Sequence, residues 1–150
     1  MKKSKPINRN SKAMLLPMTR DHADSLVLPV RVALESVRTG NINRASVVTL
    51  SEIVLLTGFL IEERIGSLNK EVLDTAEKTL LSALDAGTES AISFSPSVLD
   101  DLTAIVNEYD VLVRECRLSQ IVSANEKFQR LTQSAAKRFR PKPKVSEQSI

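Results

Sequence analysis

Apolar residues recur along most of the chain at steps of three and four, the period of a helix that buries one face. Starting near Thr19 or Asp21, Leu26, Val30, Ala33 and Val37 line one side of a first helix, and Gly40-Asn41 is a stop signal. Thr19 stands where an N-cap is wanted. Pro29 lies inside the stripe. Proline removes a backbone donor and crowds the preceding turn, so a kink or a split is expected there. A second helix runs from about Arg44 or Ala45 to Ile65, with Gly66 at its end. Here the period dissolves: Val47, Val48, Leu50, Ile53 to Leu56 and Phe59 to Ile61 leave almost no polar side, and Glu52 is the only charge between 45 and 61. A helix that is apolar all round is covered all round. It is either the central helix of a small bundle or one whose outer face a second subunit covers, and the second option predicts a homodimer. Gly58 within it costs about 1 kcal/mol relative to alanine, which points to a close helix approach.

A third helix spans about Leu68–Ala86, with Val72, Ala76, Leu80 and Ala83 or Leu84 inward and Gly87 as its stop. The next start is marked twice. Ser95 before Pro96 puts proline at the first helical position, and Ser97 with Asp100 offers a capping box instead. Val98, Leu102, Ile105, Tyr109, Leu112 and Cys116 then form a seam of about 2.5 heptads, too short for an extended coiled coil. The phase breaks at Arg117–Gln120, and Ile121, Ala124, Phe128, Leu131 and Ala135 begin a new stripe, so two helices or one bent helix are expected. Beyond Phe139, Pro141 and Pro143 punctuate a lysine-rich end. The expected fold is all-α, a four- to five-helix bundle with disordered basic arms. Residues 1–17 are read as a basic flexible arm, 18–136 as the helical bundle domain and 137–150 as a basic flexible tail.

Charge sharpens this division. Lys2, Lys3, Lys5, Arg9 and Lys12 meet no acid in residues 1–12 and give +5, while Lys137, Arg138, Arg140, Lys142 and Lys144 against Glu147 give +4. The remaining 11 basic and 17 acidic residues leave residues 13–136 at −6, so the net +3 averages over an acidic body and two basic ends. Such blocks commonly contact polyanions. Lysine and arginine release counterions from phosphates, and Phe139 among the C-terminal cations offers a ring for an exposed base. These eleven residues, Phe139 and the ten cations, are the candidate nucleic-acid-binding set for DNA or RNA.

Composition narrows the remaining chemistry. The 150 residues make about one domain, large enough for a core. One cysteine rules out an internal disulfide, one histidine a multi-histidine metal site within a single chain, and four glycines a glycine-rich phosphate loop. His22 with Asp21 and Asp24 reads as a helix surface, Cys116 as a core side chain, and Glu62-Glu63 and Asp100-Asp101 as solvated neighbours that point apart on a helix. No catalytic, metal or cofactor site is expected. Turns at Gly58 or Gly40 are the best places for a helix-turn-helix, but the first would be followed by Glu62-Glu63 and the second by the most apolar helix, where phosphates must approach. The basic N-terminus lacks the apolar run of a signal peptide, and Val47–Ile61 is shorter than the ~20 residues of a membrane span, so a cytoplasmic protein without a membrane partner is expected.

Leu16-Pro17-Met18, His22, the run Ala33 to Gly40, Ala76-Glu77 and Tyr109-Asp110 resemble small helical proteins of proteobacterial chromosomes and plasmids that are labelled Fis-like regulators. Fis proteins end in a helix-turn-helix, whereas this chain ends in a proline-lysine tail, and no functional residue is carried over. The expected function is non-enzymatic: a helical interaction or accessory protein, nucleic-acid-associated through its basic arms, in a nucleoprotein assembly. The alternative is a protein-binding adaptor or inhibitor that uses its helical surface.

Overall fold

Among the described residues of the computed structural model, five long helices follow one another: α1 (Arg20–Arg38), α2 (Arg44–Glu63), α3 (Lys70–Ala86), α4 (Pro96–Glu115) and α5 (Leu118–Phe139). The structure describes residues 12–63, 68–86 and 93–139, and among these the fold is all-α. Local chemistry sets most boundaries. The backbone N–H of His22 donates to Thr19 Oγ1 at 3.3 Å to cap α1. Past its other end Gly40 takes φ 85°, left-handed backbone that glycine adopts without strain. The N–H of Ser46 donates to Asn43 Oδ1 at 2.8 Å, and that of Glu71 to Asn69 Oδ1 at 3.0 Å. Ser95 caps α4, with Pro96 at the first position and the N–H of Val98 donating to Ser95 Oγ, so the box at Ser97 is not the one used.

Helix α2 packs against each of the other four helices. Val47, Leu50, Ile53, Val54, Thr57 and Leu60 are buried on one face, and the apolar residues of the other sides, Val48, Leu55, Leu56, Phe59 and Ile61, are half-buried. By length and composition alone the 20-residue helix could cross a membrane, but within the fold its neighbours are α1, α3, α4 and α5. Helix α4 lies against α1, α2 and α3, and α5 lies against α2.

Three expectations are corrected. Helix α1 runs unbroken through Pro29, so the chain does not split there. Pro29 is exposed, while Val27 and Val30 on either side of it are buried, so both halves of the helix pack on the core. The inward face of α1 is Ala23, Val27, Val30, Ala33, Leu34 and Val37, whereas Leu26 is 36% exposed. At Gly58 an added Cβ would meet only Leu73 Cδ1 at 4.0 Å, an ordinary contact, so the close helix approach is absent.

The seam of α4 and the stripe of α5 belong to two helices. Cys116 is extended at φ −69°, ψ 147° and ends α4. The N–H of Arg117 then donates to Gln120 Oε1 at 2.9 Å, which starts the next helix. A segment from the far end of the sequence closes this junction: the N–H of Leu118 donates to the carbonyl of Leu16 at 2.8 Å, and Pro17 and Arg117 form an antiparallel bridge.

Candidate functional site

The candidate cations among the described residues, Lys12, Lys137 and Arg138, fall at the two ends of α5. Lys12 is exposed on a helical turn at 12–14, just before the Leu16–Leu118 hydrogen bond at the start of α5. Positions 137–139, which carry Lys137, Arg138 and Phe139, form its last turn. A helix of 22 residues is about 33 Å long, so the two basic ends of the chain are joined to the body at points roughly that far apart. Lys2, Lys3, Lys5, Arg9, Arg140, Lys142 and Lys144 lie outside the described residues.

The body carries its own charged constellation, between α1 and α4. Arg114 hydrogen-bonds Asp110 one turn back and reaches Asp24 on α1 at 2.7 Å. Arg31 contacts Asp110 and Asn107, each at 2.8 Å. Asp110 therefore receives two guanidinium groups. Partial burial pushes its carboxyl up, but the hydrogen bonds from Arg31 and Arg114 outweigh that and hold it below its ordinary value. Two aspartates balance two arginines, so the cluster is neutral. It clamps two antiparallel helices and leaves no spare charge for an anion. The Asp110–Arg114 spacing of four is a helix pair legible in the sequence.

A second constellation corrects the reading of Glu62-Glu63 as merely solvated. Lys127 on α5 lies 3.0 Å from Glu63 and 3.5 Å from Glu62. Ser123 Oγ donates to Glu63 at 2.8 Å, and Gln120 Nε2 donates to the Glu63 carbonyl at 3.2 Å. The Ser123 and Lys127 hydrogen bonds lower the Glu63 carboxyl below its usual range. Side chains of α5 thus fasten the end of α2. Nothing in the local pattern announces this, because its partners are far apart in sequence.

Between α2 and α3 lies a groove of about 310 Å3. Leu55, Gly58, Phe59 and Leu73 supply its apolar wall, and Glu62, Asp74 and Glu77 with the single Lys70 supply its charged edge. The edge is net negative. Leu55 and Phe59 are half-buried on the outer side of the otherwise covered central helix. The volume is at the lower end of clefts that hold small ligands, and no convergent donors or acceptors mark a metabolite.

Other chemistry has little to build on. Among the described residues no three of His, Cys, Asp and Glu gather to hold a metal. His22 is exposed in the first turn of α1, and Cys116 is fully buried at the α4–α5 junction. Gly58 sits within continuous α2, so the turn that a helix-turn-helix would need there does not exist. Compared with protein-family models, curated proteins and solved structures, the chain matches none.

Proposed function

We propose that this chain is a non-enzymatic accessory protein of a nucleoprotein assembly, holding DNA or RNA through the basic segments at its two ends. The observation that carries the reading is the separation of charge. A body at −6 is bracketed by segments at +5 and +4 that join it at opposite ends of α5. An acidic body repels phosphates, so binding depends on the ends. About 33 Å between attachment points is close to one turn of duplex, which lets one molecule reach phosphates about a turn apart. The resemblance to Fis-like regulators implies the same direction without assigning a residue.

The test is a fluorescence titration of labelled duplex and single strands. Replacing Lys137, Arg138, Arg140, Lys142 and Lys144 with Gln weakens binding to all sequences alike, since phosphate contacts carry no base information. Phe139→Ala weakens single strands only, because a base must be free to stack. Equal binding by the Gln variant at low salt removes the C-terminal segment from this reading. The groove between α2 and α3 favours the second reading, an adaptor or inhibitor that binds a protein, and that reading gains if neither nucleic acid binds.

A further inference from the structure

The groove on α2 and α3 has a counterpart on the same molecule. The apolar stripe of α5 begins buried, at Ile121 and Ala124. It continues through half-buried Phe128 to Leu131, which is 44% exposed, and residues 129–134 are exposed one after another. In the second half of α5, Leu131 is therefore a large apolar side chain close to half exposed, one turn after half-buried Phe128. Its charge is opposite to that of the groove. Arg130 is exposed beside Leu131, the sequence that continues the helix adds Lys137 and Arg138, and no acid follows Glu126 until Glu147. Lys127 reaches Glu62 at the groove edge, and from residue 129 to 134 the helix runs on with exposed side chains.

We propose that a second copy of the chain supplies what is missing: the outer half of α5 from each copy docks in the groove between α2 and α3 of the other. Leu131 and Phe128 meet the apolar wall at Leu55, Phe59 and Leu73, and Arg130 faces the acidic edge at Asp74 and Glu77. Each copy gives one helix and receives one, so the contact is reciprocal and closes as a two-fold dimer. Charge complementarity selects this occupant. The groove is apolar with an acidic edge, and the exposed half-helix is apolar with basic flanks.

Sedimentation equilibrium of the full chain at micromolar concentration tests it, with helical circular dichroism as the check on folding. The parent is expected at about 33 kDa, twice its 16.6 kDa. Leu131→Asp changes an exposed position, and Asp74→Lys with Glu77→Lys reverses the groove edge, so neither empties the core. Each variant keeps its helical signal and shifts to monomer, with dimer affinity lowered at least tenfold. A parent that stays at monomer mass overturns the proposal. So does a dimer that survives either variant, since its contacts then lie elsewhere.

Discussion

The N–H of Leu118 donates to the carbonyl of Leu16 at 2.8 Å, which ties the segment before α1 to the gap between α4 and α5. With the adjoining Pro17–Arg117 bridge, it holds the chain entry beside the place where Cys116 ends one helix and Arg117 begins the next.

This joint separates two truncations. Residues 1–11 contain almost no apolar side chains, so removing them is expected to leave the thermal midpoint nearly unchanged. Extending the deletion through Pro17 removes the acceptor for Leu118 and is expected to cost about 1 kcal/mol, a fall of a few degrees. Circular dichroism melts of the two truncated proteins measure the difference.

The pattern of the sequence was informative where the cause is local. Ser95-Pro96, Thr19 and Gly40 mark helix ends through contacts within a few residues, and α2 announces its central place through its lack of a polar side. Where the cause is distant, the pattern ran out. Val27 rather than Leu26 points inward because α1 packs against α2 and α4, and the stripe alone does not choose between neighbours on a helix. The local cost of Pro29 does not end α1, whose residues on both sides of it are buried. Of the candidate site, the cations and their two-ended grouping were legible, while the groove was not, because its walls come from two helices.

Asp110 predicts an acid-dependent loss of stability. Its folded-state carboxyl titrates below the ordinary value, so its contribution is complete above the unfolded aspartate pKa and is lost as pH falls through the folded one. Asp110→Asn is therefore expected to melt below the parent at pH 7, and the gap should close at pH values under about 4. Thermal melts across that range check it. A gap that stays constant with pH would mean that the Arg31 and Arg114 contacts do not depend on the carboxylate charge.

Thr57 is fully buried in α2, and its Oγ1 has no hydrogen-bond partner among the described residues. A buried unsatisfied hydroxyl costs about 1–3 kcal/mol. Thr57→Val keeps the branched shape and removes the hydroxyl, so a gain of about 1 kcal/mol is expected in urea unfolding. A loss would show that the hydroxyl is satisfied in solution.

Gly58→Ala is also expected to stabilise. The helix backbone there is ordinary, the new Cβ meets Leu73 Cδ1 at 4.0 Å, and alanine in a helix interior is better than glycine by about 0.5–1 kcal/mol. The urea midpoint, compared at one protein concentration, should rise.

The salt dependence of nucleic-acid affinity tests the central claim most directly. Each phosphate neutralised on a duplex adds about −0.9 to the slope of log K against log salt. If the C-terminal cations Lys137, Arg138, Arg140, Lys142 and Lys144 all contact phosphates, changing them to Gln should flatten the slope by roughly 4.5. Parent and variant titrated with one duplex over a range of salt give both slopes. A clearly shallower slope for the variant is the predicted result, and two equal slopes would contradict the claim that this end of the chain holds nucleic acid.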